Sequence, residues 1–132
     1  MSRPEHHFDL RVYWEDTDAG GVVFFVNYLK FFERARTEWL RELGFSQETW
    51  RAMGSAFVVS NAQIRYLRPA RLDDLLHITT RVKSSGQASL TVNQHATRDS
   101  VLLCESEVRL GFVDTTGLRP RRLPADFLSQ IA

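Results

Sequence analysis

Cysteine is nearly absent. The chain carries one, Cys104, so no disulfide can close within it, and a reducing compartment is the natural expectation. No run of about 18 apolar residues occurs, and the first residues lack an apolar secretory stretch, so neither a membrane span nor a signal peptide is predicted. A cytoplasmic protein is therefore expected. Charge of one sign is missing too: 17 basic residues against 16 acidic leave a net +1. No global field selects nucleic acid or a membrane surface. Lysine is scarce, since only Lys30 and Lys83 accompany 15 arginines. The guanidinium fork suits phosphate, although codon usage alone produces such a skew. No Gly-Lys-Ser or Gly-Lys-Thr follows Gly20 and Gly21, and no Gly-x-Ser-x-Gly elbow occurs. His6, His7, His77 and His95 show no metal-ligand spacing, so no metal site is expected.

What is present reads as one globular domain over residues 1–132. Residues 7–14 alternate, with Phe8, Leu10, Val12 and Trp14 on one face of a predicted strand. From Asn27 the period becomes helical: Tyr28, Phe32, Ala35, Trp39 and Leu43 form a stripe, with Leu29 and Leu40 beside it. Asn27 is expected to cap this helix and Gly44 to end it. Ser46 is expected to cap a short helix over 47–53. Four strands follow. One carries Val58, Ala62, Ile64 and Tyr66, and stops at Pro69. The next carries Leu76, Ile78, Thr80 and Val82. Leu90, Val92 and Ala96 line the third; Leu102, Cys104, Val108, Leu110 and Phe112 line the last. Pro124 is placed to open a final short helix. The implied class is α+β, a five-stranded antiparallel sheet wrapped around one long helix. Its outer strands would be unpaired edges, which favours a dimer joining two sheets.

The segment between the first strand and the long helix, "EDTDAGGVV", carries the chemistry. Gly20 and Gly21 permit a tight turn and close backbone approach. A helix start offers free N–H groups and a partial positive charge, which can stabilise charge developing on a carbonyl oxygen. A carboxylate beside it could attack that carbonyl or deprotonate a water. Asp16 and Asp18 are the acids available, and either could instead serve as a cap or loop residue. A calcium loop fits poorly, because Gly20 and Val22 supply no side-chain oxygen.

The stretch "RVYWEDTDAGGVVFFVNYLKFFERARTEWLRELGF" resembles the signature of the hotdog-fold thioesterases of the 4-hydroxybenzoyl-CoA thioesterase family. It is most similar to the branch linked with the bacterial Tol-Pal system, the YbgC-type acyl-CoA thioesterases. Arg11, Val12, Thr17, Asp18, Gly21, Val22 and Val23 meet the pattern, and "FVVSNAQIRYLRPARLDDLL", "SLTVNQ" and "PRRLP" extend it. The resemblance implies a hotdog fold and hydrolysis of acyl-CoA to free acid and CoA. It implies Asp18, not Asp16, as the catalytic acid, acting as nucleophile or general base. Backbone N–H groups around Gly21 and Phe25 would polarise the carbonyl, and Asp16 would serve the turn. No cofactor is implied, coenzyme A being part of the substrate. Homodimers or homotetramers and cell-envelope or lipid-synthesis protein partners also follow from the resemblance. One departure is plain: many relatives carry histidine where this chain has Phe25, which cannot exchange a proton.

Other candidates surround this centre. Tyr28 is expected chiefly in the core and at the edge of the acyl site, and Glu33 in a structural ion pair. Phe24, Phe25, Phe57 and Val59 suggest an apolar lining for the acyl group. Arg65, Arg68 and Arg71 in one group, and Arg81, Lys83, Ser84 and Ser85 in another, are candidates for the CoA phosphates. Cys104, on an apolar phase, reads as core. Two rival functions stand beside the thioesterase. One is a hotdog hydratase or dehydratase, which needs an acid and a histidine together. The other is an envelope-associated acyl-binding or scaffold protein with weak catalysis.

Overall fold

The computed structural model describes residues 4–132. Five strands, β1 (His6–Arg11), β2 (Ser55–Tyr66), β3 (Leu75–Ser85), β4 (Ser89–Arg98) and β5 (Val101–Asp114), form one antiparallel sheet in the order β1-β3-β4-β5-β2. Helix α1 (Asn27–Glu42) lies between β1 and β2 in sequence, followed by α2 (Gln47–Ala52); α3 (Ala125–Ile131) closes the chain. This is the five-stranded sheet around one long helix that the sequence pattern predicts, and the hotdog arrangement that the family resemblance implies.

Helix α1 packs against β1 and β3. Tyr28, Phe31, Phe32 and Ala35 are buried there against Leu10, Val12, Leu76 and Ile78. A second cluster, with Trp39, Trp50, Phe112 and Phe127 at its centre, fills the other end beneath α2 and α3. Gly44 ends α1 at φ +94°, the left-handed conformation that glycine adopts without penalty. The N–H of Phe45 then reaches back to Leu40 O at 2.9 Å. Ser46 caps α2 by accepting from Thr49 N–H at 3.2 Å.

Three local expectations are corrected. The first strand ends at Arg11, and Trp14 opens a 3-10 turn (Trp14–Asp16) with its side chain 80% exposed. Asn27 does not cap α1: it is the first helical residue, and its amide is used elsewhere. In β2 a bulge between Val59 and Asn61 shifts the phase by one residue. Val58 therefore pairs with Gly111 on the outer face, whereas Phe57, Val59, Ala62, Ile64 and Tyr66 pair with the inward Phe112, Leu110, Val108, Ser106 and Cys104. Because α1 rests over β1 and β3, much of this inner strip of β2 is uncovered: Val59 is 52% exposed and Tyr66 47%.

Cys104 is fully buried, and desolvation pushes its thiol pKa up to about 12. The thiol is thus held protonated, and thiolate is the reactive form. A disulfide-exchange reagent is expected to leave the native protein unmodified for minutes and to titrate one thiol per chain in denaturant. Prompt native labelling would contradict this burial.

Candidate active site

Between β1 and α1 the chain closes a small loop. Thr17 and Val23 form an isolated antiparallel bridge, and a second joins Val22 to Arg71. Asp18 N–H donates to Val22 O at 2.9 Å, and Gly21 N–H donates to Asp18 O at 3.1 Å. Gly21 has φ +78°, so a side chain there would be strained. Val23 N–H donates to Ala70 O at 2.8 Å, and Ala70 N–H donates to Tyr28 Oη at 3.1 Å. The loop is thereby stitched to the segment joining β2 and β3 and to the first turn of the helix.

Asp16 lies beneath this loop, 3% exposed. One carboxylate oxygen accepts from Tyr13 N–H and the other from the Asn27 side-chain amide, both at 2.8 Å. Its carbonyl accepts from Phe24 N–H at 3.0 Å. Asp16 is thus the clamp between the loop and the helix start, a structural role.

Asp18 differs in every respect. Its side chain is exposed, and Oδ1 accepts only from Gly20 N–H at 2.9 Å. Among the described residues Oδ2 has no hydrogen-bond partner. A Cβ at position 20 would stand 3.3 Å from Asp18 Oδ1, so glycine there keeps the approach to the carboxylate open. At the head of α1 the N–H groups of Phe25 and Val26 have no acceptor among the described residues, and no acid occupies the first turn. Gly21 N–H is already bonded to Asp18 O, so of the two positions expected to supply donors, Phe25 has a free N–H and Gly21 does not. Phe25 itself is 57% exposed, and its carbonyl accepts from Tyr66 Oη at 2.9 Å. Beside it lies an open pocket of about 250 Å³ lined by Val23, Phe25, Tyr28, Tyr66 and Arg68.

The two groups of phosphate candidates part company. Arg68 lines this pocket, and Arg71 belongs to the segment bridged to Val22; neither forms an ion pair among the described residues. Arg65 faces the outer side of the sheet, paired with Glu105 at 3.1 Å. Arg81 and Lys83 also face outward, bonded to Glu5 at 3.1 Å and Glu107 at 2.6 Å. Ser84 and Ser85 end β3, roughly 30 Å along the strand from its start beside the Asp18 loop. Within one chain they do not approach Asp18. Glu33 makes no ion pair among the described residues, against expectation, and stands exposed on α1. Phe57 and Val59 lie farther along the inner strip of β2. Tyr28 is 3% exposed and serves both core and pocket edge. No group of three or more His, Cys, Asp or Glu among the described residues is placed to hold a metal ion.

Residues 12–131 match the model of the thioesterase-like superfamily. The chain belongs to this superfamily. It is 45% identical over 131 residues to the acyl-CoA thioester hydrolase YbgC of Escherichia coli, covering 98% of each chain. To the acyl-CoA thioesterase YbgC of Haemophilus influenzae it is 43% identical, covering 90% of this chain and 88% of the relative. A probable thioesterase from Bartonella henselae, solved by crystallography, superposes with a TM-score of 0.87 at 37% identity, covering 92% of this chain and all of that one. In this chain the loop before α1 carries both an unencumbered carboxylate and, where the helix begins, two free amide donors. Two site elements escape the sequence reading, namely the Asp16–Asn27 clamp and the Tyr66 hydroxyl. Neither follows a periodic pattern, and each depends on a contact between segments distant in sequence.

Proposed function

We propose that the protein hydrolyses acyl-CoA thioesters to a free acid and CoA at the loop before α1. The observation that carries this reading is one bridged loop before α1 that holds both Asp18, whose Oδ2 is free, and the unbonded N–H groups of Phe25 and Val26 where the helix begins. The acyl carbonyl oxygen accepts from those N–H groups, which stabilise the negative charge of the tetrahedral intermediate. Asp18 removes a proton from water as the water oxygen bonds to the carbonyl carbon, or its carboxylate bonds to that carbon directly. In either route the C–S bond breaks, the electron pair leaves on sulfur, and the thiolate is protonated. In the direct route water then cleaves the mixed anhydride and restores Asp18. Phe25 takes no proton, so its part is backbone donation and apolar contact.

Arg68, which lines the pocket, and Arg71, which is bridged to Val22 in the loop that carries Asp18, are the proposed phosphate contacts from the same chain, because neither carries an ion pair among the described residues. Arg81, Lys83, Ser84 and Ser85 serve such a site only from a neighbouring subunit. A homodimer is part of the proposal. Strand β2 is an edge of the sheet, 12 residues long, with Val58, Val59 and Tyr66 exposed. Such an edge is a template for pairing with a second copy. Light scattering is expected to give twice the monomer mass at micromolar concentration; a monomer would contradict the assignment. CoA thioesters are made and used inside cells, so the cytoplasm is the proposed place of action. No helix among the described residues is long and apolar enough to cross a membrane.

The direct test is release of free thiol from a panel of acyl-CoAs, short to long and aromatic. Hydrolysis of at least one class well above the buffer rate is expected. Rates no faster than buffer across the whole panel would overturn the reading and favour an acyl-binding or scaffold role.

A further inference from the structure

Arg36 sits in the third turn of α1 and is 8% exposed, yet no carboxylate lies within ion-pairing distance among the described residues. Its one protein acceptor among them is neutral: Nη1 donates to Gln94 Oε1 at 2.9 Å. Gln94 is fully buried and cannot turn away, because its Nε2 donates to Phe32 O at 2.9 Å and Thr80 Oγ1 at 3.0 Å. The amide carbonyl is therefore fixed toward the guanidinium and holds it in place. The remaining N–H groups of the fork have no protein acceptor among the described residues. None of its nitrogens is both sealed from solvent and unpartnered, so the free N–H groups open on a cleft; a largely buried guanidinium with one neutral partner is still poorly compensated, since charged groups inside proteins normally meet a counter-charge. Burial accordingly lowers the Arg36 pKa, opposed by the nearby charge of Glu33.

The guanidinium borders a pocket of about 210 Å³, lined also by Glu33, Trp39, Phe57, Val59 and Leu110. Between this pocket and the proposed active site lie side chains of one strand. The uncovered inner strip of β2 runs from Tyr66, bonded to Phe25, through Ile64 and Ala62 to Val59 and Phe57, which line the Arg36 pocket. Along α1, Asn27 and Arg36 are separated by nine residues, about 13 Å at 1.5 Å per residue. An extended carbon chain advances about 1.25 Å per atom at standard bond lengths. A medium-length acyl group held at Phe25 would thus bring its far end to Arg36.

We propose that Arg36 is a specificity residue that receives a carboxylate at the far end of the acyl chain, making ω-carboxyacyl-CoAs preferred substrates. The planar fork matches a carboxylate in paired hydrogen bonds, and burial between Trp39, Phe57 and Leu110 strengthens them. Glu33 opposes an incoming anion, but it is exposed at the pocket rim and screened by solvent. This assignment rests on the thioesterase reading for its substrate class.

The test compares pairs of equal length: octanoyl with suberoyl, decanoyl with sebacoyl, and dodecanoyl with dodecanedioyl-CoA. The readout is the ratio of kcat/KM within each pair, for wild type, Arg36→Gln and Arg36→Lys. Wild type is expected to favour the ω-carboxyl member by at least tenfold at one length. Arg36→Gln is expected to bring that ratio to one or below, chiefly through KM, with Arg36→Lys intermediate. A wild-type ratio of one or less at all three lengths overturns the assignment whether or not the variants fold. An unchanged ratio in a folded Arg36→Gln protein also overturns it. Binding of the same pairs to Asp18→Asn protein, read by calorimetry, reports the preference without turnover. Absence of hydrolysis would therefore sink the proposed function alone, whereas equal binding within every pair would sink the Arg36 assignment.

Discussion

Replacing Asp18 by Asn is expected to lower kcat/KM for the best acyl-CoA by at least about a hundredfold, the scale typical of losing a general base. The size of this effect comes from isolation. No histidine lines the pocket beside Phe25, so no second base stands ready to take the proton. The change is nearly isosteric, and the amide oxygen of the new side chain could still accept from Gly20 N–H, as the native carboxylate does at 2.9 Å. The loop should keep its shape, and thermal stability should move by less than about 1 kcal/mol, as expected for an exposed position. Loss of activity with preserved folding places the chemistry on this carboxylate. Retention of activity within a few-fold of wild type would move it elsewhere.

Asp16→Ala is expected to act in the opposite manner, on structure first. The carboxylate is 3% exposed and accepts from Tyr13 N–H and the Asn27 amide, both at 2.8 Å. Its removal strands two donors, one of them on a residue only 8% exposed. Leaving buried partners of a charged group unsatisfied costs about 2–4 kcal/mol, so thermal melts should shift down by roughly 6–15 °C. Activity below the melting range should also fall, because the clamp sets where Asp18 lies relative to the helix start, and small misplacements are costly to rate. Asp16→Asn should restore only part of both, since its amide nitrogen cannot accept from either donor. A melt unchanged by Asp16→Ala would rule out the clamp.

The contrast between these two acids shows what a sequence can and cannot convey. Their spacing in "EDTD" is symmetrical, and local chemistry alone admits either as base or turn residue. Resemblance to a family points to Asp18, and the burial of Asp16 gives a physical reason for its own structural role. The periodic elements are legible because side-chain direction follows the strand and helix periods. That is why α1, α2 and the core strands lie close to where the pattern puts them. The misses occur where the period breaks. The bulge between Val59 and Asn61 turns Val58 outward and exchanges the faces of half of β2. Trp14 continues an apparent alternation, yet the chain has already turned at Val12, whose N–H donates to Asp74 O at 2.9 Å. Arg65 and Arg68 look equivalent in "RYLRPAR", but one faces Glu105 across the sheet while the other adjoins the pocket. Arg36 gives no signal in the sequence, because its setting depends on Gln94, 58 residues away.

The most direct test of the proposed site is backbone amide NMR of the Asp18→Asn protein with an acyl-CoA that it binds but turns over slowly. If the thioester carbonyl rests at the head of α1, the Phe25 and Val26 amide protons should move downfield on titration and become protected from exchange, while the same concentration of free CoA leaves them near their starting positions. Unmoved Phe25 and Val26 amides in a saturated complex would contradict the central claim, because the carbonyl would then lie away from the unbonded donors at the helix head.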